Sequence, residues 1–212
     1  TRRAGATAVG LNPTVTAPSA AGVGSSPRLF DRPLWGKRAR WVQSGPSYRP
    51  NQAHYAACPY PSRRPNHLTD AHGALIGQFI DAALERGLKV YLQVAATGPS
   101  QLDRQDIPRL PHGRLPANRM ASTGSLASAA IRHYNRAYIA DLLEHYPQIT
   151  GFRPDWPEYP CYKLDEAFQD FGPPVAAWAA ENGFDFAAIR QEVGAFYNYL
   201  HGSLKTRISV YF

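Results

Sequence analysis

Cysteine is scarce in this sequence: the 212 residues hold two, Cys58 and Cys161. Two cysteines do not make a disulfide framework, although both follow strand-like segments and could meet as a pair. No Cys/His spacing of the zinc-site kind occurs, so neither metal nor cofactor is expected. No run reaches the roughly 18 apolar residues that a membrane-spanning helix needs. No glycine-rich phosphate loop follows a strand, which argues against nucleotide binding. Acid is the scarcer charge, with 16 Asp plus Glu against 23 Lys plus Arg and a formal net charge of +7. The basic excess collects in the proline- and aromatic-rich stretch from Arg28 to Arg64. Such a balance permits polyanion binding, but no nucleic-acid motif accompanies it, so a solvated basic loop is the expectation and nucleic acid is not an expected partner. The chain opens on Thr1 rather than Met and ends on the strand-like Ile208-Ser209-Val210-Tyr211-Phe212. Both ends lead us to expect a piece of a longer polypeptide, so location, secreted or cytoplasmic, and oligomeric state stay open.

What is present is a repeating pattern. Residues 1–212, 44% of them hydrophobic, suit one domain with a sizeable core. Gly5-Ala6-Thr7-Ala8-Val9 reads as a helix end followed by a short buried strand, then comes a long segment over 12–67 whose Trp35, Trp41, Tyr48, Tyr55 and Tyr60 argue against disorder. A helix capped by Thr69 or Asp70 should run to Arg86, with Ile76, Phe79, Ile80 and Ala83 on one face and Gly87 as its stop. Leu88–Val94 reads as a buried strand, followed by a loop over 97–124. Ser125–Tyr146 reads as a helix, with Leu126, Ile131, Tyr134, Tyr138, Leu142 and Tyr146 on one side and Pro147 as its end. Ile149–Arg153 is the next strand, 156–184 the next loop, Asp185–His201 the next helix and Ile208–Phe212 a fourth strand. Long inserts fall after strands and short connections before them. That asymmetry belongs to α/β folds, and above all to the (β/α)₈ TIM barrel, whose active face is built by the loops after strands. A complete barrel takes about 250 residues, so only part of one is expected, with its strands parallel neighbours in chain order.

The chemistry concentrates where one such strand ends, in Gly151-Phe152-Arg153-Pro154-Asp155-Trp156-Pro157-Glu158-Tyr159-Pro160. Three prolines stop the strand and restrict the turn that follows it. Asp155 and Glu158 supply two carboxylates, one to attack or stabilise an oxocarbenium-like centre and one to protonate the leaving oxygen. Trp156 and Tyr159 supply aromatic faces for sugar rings. Arg153 lies two residues before Asp155 on the same strand face and is expected to keep it ionised. His54 and Tyr55, in the loop after the first strand, and His112, in the loop after the second, are further candidates for substrate binding.

Gly151-Phe152-Arg153-Pro154-Asp155 resembles the Gly-Phe-Arg-x-Asp segment at the fourth strand of the α-amylase superfamily. The longer run, with Tyr159-Pro160 behind it, is similar to a set of glycosyl-hydrolase-like barrels sharing a Gly-[aliphatic/aromatic]-[Arg/His/Gln]-x-Asp-x-x-x-Tyr-Pro pattern. The resemblance implies that this chain carries about strands 2–5 of a (β/α)₈ barrel, with Asp155 as nucleophile and Arg153 as its support. Ala95-Ala96-Thr97-Gly98 stands where amylases carry an Asp and an Asn-His pair, and their general acid follows the fifth strand. The second carboxylate is therefore Glu158 or one beyond Phe212. The expected function is a glycoside hydrolase-like activity on an oligo- or polysaccharide. The alternatives are a non-catalytic carbohydrate-binding barrel and a basic nucleic-acid-binding domain.

Overall fold

The structure, a computed structural model, describes residues 5–26, 28–29, 32–33, 41–95, 98–99, 101–116, 123–155 and 164–204. Two compact units emerge. The first comprises 1–57, 61–94 and 137–155, the second 58–60, 95–136 and 156–212.

The first unit holds strands β1 (Ala8–Leu11), β2 (Thr14–Ser19), β3 (Arg28–Leu29), β4 (Arg32–Pro33), β5 (Trp41–Pro46), β6 (Lys89–Ala95) and β7 (Gly151–Asp155). It also holds helices α1 (His67–His72) and α2 (Ala74–Glu85) and the C-terminal part of α3 (Ala129–His145). Its central feature is a parallel sheet ordered β1-β6-β7. Ala8 lies opposite Lys89, and Leu11 opposite Leu92. Val90, Leu92 and Val94 alternate into the core with the period of a strand, alongside Ile80 and Ala83 of α2 and Leu142 of α3. Burying each of the Val, Leu and Ile side chains among these stabilises the unit by about 1.5–3 kcal/mol. The three parallel strands come from the segments read as the first three strands of the chain. Among the described residues the sheet is open and no barrel closes. The expected fourth strand, 208–212, lies outside the described residues.

Helix α1 begins two residues ahead of the expected cap. Asn66 is the N-cap: its side chain accepts from the N–H groups of Leu68 and Thr69, and Thr69 Oγ1 accepts from the Asn66 N–H at 3.2 Å. This reciprocal box explains why Thr69 looked like a cap, since it is the box's other half. The single expected helix is broken at Gly73, where an added Cβ would sit 2.5 Å from the Ser47 carbonyl oxygen. Gly87, at φ 66°, ends α2 in the left-handed region as glycine readily does. Within the stretch 12–67, read as a loop, Thr14–Ser19 and Trp41–Pro46 are strands. β2 and β5 pair antiparallel from Thr14↔Pro46 to Ser19↔Trp41, and Thr16 Oγ1 lies 3.0 Å from Ser44 Oγ across them. The alternation Thr14-Val15-Thr16-Ala17 against Val42-Gln43-Ser44 carries that pairing, and Val15 is its buried member.

The second unit holds the N-terminal part of α3, helix α4 (Pro173–Glu181), helix α5 (Phe186–Asn198) and a π-helical turn at Tyr199–Leu204. Its core includes Tyr60, Leu110, Ile131, Tyr134 and Phe168. Tyr60 donates its hydroxyl to the buried Asp106 and accepts from the Asp103 N–H at 3.1 Å. Burial, then the bond to Asp106, pushes the Tyr60 pKa up. Helix α4 falls inside the stretch 156–184 that sequence assigned to a loop. Pro173 occupies the helix start and Gly183, at φ 74°, follows its end, the ordinary punctuation of a short helix. Helix α5 is capped by Asp185, which accepts from the Ala188 N–H at 2.9 Å. Its Ile189 and Phe196 stay exposed.

Candidate functional site

Asp155 is the last residue of β7, at the carboxyl end of the parallel sheet, and is half-buried. Gln93 reaches it from the neighbouring strand β6, donating Nε2–H to Asp155 Oδ2 at 2.8 Å. Residues two apart on a strand share a face, so Gly151, Arg153 and Asp155 form one row and Tyr91 and Gln93 another, opposite the buried Val90-Leu92-Val94 row. Arg153 is exposed, and among the described residues no ion pair joins it to Asp155. Geometry accounts for the difference from expectation. Residues i and i+2 are about 6.6 Å apart along a strand, whereas the next strand is only about 4.8 Å away. A cross-strand amide therefore reaches the carboxylate more easily than the arginine on the same strand. Trp156, Glu158, Tyr159 and Cys161 lie outside the described residues. Cys58 is half-buried.

His54 and Tyr55 belong to a 3₁₀ turn at Gln52–Tyr55 in the first unit, and the structure gives both internal partners. Asp141 of α3 is only 2% exposed. Its Oδ2 accepts from the Tyr48 hydroxyl at 2.9 Å and from the Tyr55 hydroxyl at 3.0 Å, and its Oδ1 accepts from the Asn51 N–H at 2.9 Å. Burial, and then the Asp141 charge, raises the Tyr48 pKa far above its ordinary range. One turn along α3, Glu144 faces His54 Nε2 at 2.6 Å and accepts from Asn51 Nδ2 at 3.0 Å. The His54 bond, then the Asn51 bond, lowers the Glu144 pKa. Tyr146 Oη lies 2.8 Å from Ser47 Oγ. Segment 47–55 is thereby fastened to α3, and Tyr55, a sequence candidate for sugar contact, is buried with its hydroxyl engaged. A sequence signal for Asp141 existed: it is an acid within the apolar row Tyr134-Tyr138-Leu142, three residues after Tyr138.

His112 lies in the second unit, edge-on to Tyr197 with ring centroids 5.1 Å apart. The Arg114 N–H donates to its Nδ1 at 3.3 Å. Tyr197 stacks on His201 at 3.9 Å, and Asp165 accepts from the Tyr197 hydroxyl at 3.2 Å and lies 2.6 Å from His201 Nε2. Tyr197 and His201 share a helix face at i, i+4, a spacing visible in sequence. Asp165, 32 residues earlier in the chain than Tyr197, is joined to them only by the fold.

Of the eight sequence candidates, Arg153 and Asp155 sit on β7, His54 and Tyr55 in the turn over α3, and His112 in the second unit. Gln93 was missed, although its place in the Tyr91-Gln93 row of a strand would have put it on one sheet face. Among the described residues no three His, Cys, Asp or Glu side chains gather as metal ligands, and no helix is long and apolar enough to cross a membrane. No family model, curated protein or solved structure matches the chain.

Proposed function

We propose that this chain is part of a glycoside hydrolase-like (β/α)₈ barrel, with Asp155 as the carboxylate that attacks the anomeric carbon or stabilises its developing positive charge. One observation carries the reading: Asp155 ends a strand of a parallel sheet whose strands follow one another in chain order, and Gln93 of the adjoining strand fixes it there. The carboxyl ends of parallel strands are where such folds place their chemistry. Among the described residues one neutral donor holds this carboxylate, which leaves lone pairs for a ligand. The motif around it, Gly-Phe-Arg-Pro-Asp with Trp156, Glu158 and Tyr159 following, has the carboxylates and aromatics that glycoside hydrolysis uses. Glu158, or a carboxylate beyond Phe212, is the proton donor in this reading.

The test is Asp155→Asn in the intact protein, assayed on a panel of aryl glycosides and oligosaccharides. The expected loss is about 10²–10³-fold in kcat, the scale of removing one preorganised charge-stabilising group, with ligand affinity retained. Unchanged hydrolysis sinks the assignment of Asp155. Oligosaccharide binding without turnover in the unsubstituted protein would put a non-catalytic carbohydrate-binding barrel in its place.

A further inference from the structure

The second unit carries a feature that the glycosidase reading does not use. A cavity of about 330 Å³ is lined by Arg109, Gly113, Phe171, Gly172, Phe186 and Arg190, among others. A second, of about 600 Å³, shares Phe186 and Arg190 with it and adds Pro111, His112 and Tyr197. Among the described residues no Asp or Glu lines either one, and neither arginine takes part in an ion pair. Backbone carbonyls hold both guanidinium groups. Arg109 Nη1 donates to Gly113 O at 3.1 Å, and Arg190 Nε donates to Pro111 O at 2.5 Å. Arg109 Nε is shut away from solvent and has no acceptor. The donors Arg109 can turn towards a ligand in the cavity are therefore its terminal Nη groups, not this Nε. The N-terminal end of α4 offers the cavity no free backbone donor among the described residues. Pro173 and Pro174 have no N–H, those of Val175 and Ala176 donate to Gly172 O at 3.1 Å, and that of Gly172 donates to Asp170 Oδ1 at 2.7 Å. Asp170 Oδ1 also accepts from the Arg109 N–H at 3.1 Å. The free donors at this place are therefore the guanidinium groups.

We propose that these adjoining cavities bind an oxyanion, a carboxylate or phosphate carried on a small ring compound, with Arg109 and Arg190 holding the anion and Phe186, Pro111 and Tyr197 packing against the ring. A planar guanidinium matches either anion with two parallel hydrogen bonds, and the one nearby carboxylate among the described residues, Asp170, is bonded to the backbone N–H groups of Arg109 and Gly172 and not to either guanidinium, so the pair favours negative charge. Carbonyl tethers at Pro111 and Gly113 fix both side chains beforehand, which lowers the entropy lost on binding. The volumes lie in the range of small-molecule sites. This site does not depend on Asp155 or on glycosidase activity.

Calorimetric titration of the full chain with glucuronate, glucose 6-phosphate, inorganic phosphate and, as the neutral control, glucose tests the proposal. Binding by glucuronate or glucose 6-phosphate, weakened by added salt and absent for glucose, is expected. The first two ligands tell carboxylate from phosphate, and inorganic phosphate measures the anion without its ring. Arg109→Gln and Arg190→Gln should each weaken binding by at least about tenfold, with circular dichroism unchanged. Should either Gln variant fail to fold, Arg109→Lys and Arg190→Lys decide, because they keep the charge and lose the fork: several-fold weakening supports the site. Glucose binding as tightly as glucuronate overturns the proposal. So does the absence of binding by all three anions, or wild-type affinity in folded Arg variants.

Discussion

Two aspartates of the first unit show how differently one side chain can be used. Asp141 is buried on α3 and accepts from two tyrosine hydroxyls and a backbone N–H. Asp155 ends β7 half-buried and, among the described residues, accepts from Gln93. An ionised carboxylate offers about four acceptor positions. At Asp141 three are filled by protein donors, so the group is committed to holding segment 48–55 against the helix. At Asp155 one is filled among the described residues, and the proposed reading assigns the others to a ligand. Burial alone would have marked Asp141 as the unusual residue. Counting its donors marks it as structural and leaves Asp155 as the better candidate for chemistry.

The sharpest way to break this comparison is to measure stability at both positions. Asp141→Ala leaves the Tyr48 and Tyr55 hydroxyls and the Asn51 N–H without their acceptor. The two buried tyrosine hydroxyls lose bonds to a charged group worth about 1.5–3 kcal/mol each, while the exposed Asn51 turns to water, so a loss of at least about 3 kcal/mol is expected. For a chain of this size that is a fall in Tm of roughly 6–12 °C. Asp155→Asn keeps the shape and one acceptor oxygen, and its effect on Tm should stay within about 0.5 kcal/mol. Thermal melts followed by circular dichroism give both numbers. Equal losses at the two sites would mean that Asp155 is structural too.

A smaller effect tests how the load is shared inside the Asp141 cluster. Tyr55→Phe removes one of three donors and leaves the ring in place, so about 1.5 kcal/mol is expected, the low end for a hydrogen bond to a charged group. Tyr48→Phe should cost a similar amount. The two hydroxyls donate to the same Oδ2 and weaken each other there, so each single variant lets the remaining bond strengthen and the double variant should lose more than the sum of the singles. Urea denaturation of the four proteins forms the cycle. Strict additivity would show that the hydroxyls act independently.

These networks also mark how far the sequence could be read. Helices α2, α3 and α5 and strands β6 and β7 were legible because their apolar periods are long and their ends carry Gly87, Pro147 and Asp185. Helix α4 was not, because Ala176-Ala177-Trp178-Ala179-Ala180 has little amphipathic pattern and its Pro173 and Gly183 read as loop residues. The β2–β5 pair was hidden by the 21 residues between its strands, Ala20 to Arg40. At the site, Asp155 was legible from its own motif, because strand end, proline and acid are adjacent in the chain. Its partner Gln93 is 62 residues away, and Asp141 is 86 and 93 residues from its two tyrosines. Such partners are set by packing and have no local signature, so the sequence offers Tyr55 as a candidate contact without showing the bond of its hydroxyl to Asp141.

The smallest expected effect is on the pH dependence of stability, and it separates the core of the Asp141 cluster from its rim. Burial holds the His145 pKa below its ordinary 6.5. On acidification through 6.5 the unfolded chain takes up a proton that folded His145 does not. Its stability contribution is thus complete above about 6.5, falls below that, and levels off once pH passes the folded value. Glu144 is also lowered, from 4.5, but its causes are the bonds from His54 and then Asn51. Its contribution is present above 4.5 and is lost as pH falls through the folded value. Stability should therefore decline in two steps between about pH 8 and about pH 3. His145→Gln should flatten the upper step and leave the lower one, and Glu144→Gln should do the reverse. The Glu144 step should be the shallower, since that carboxylate is exposed and screened by solvent. Urea midpoints across the pH range for the three proteins check this. A single step unaffected by either substitution would show that neither group is linked to folding, and that the Asp141 core holds the turn to α3 without help from its rim.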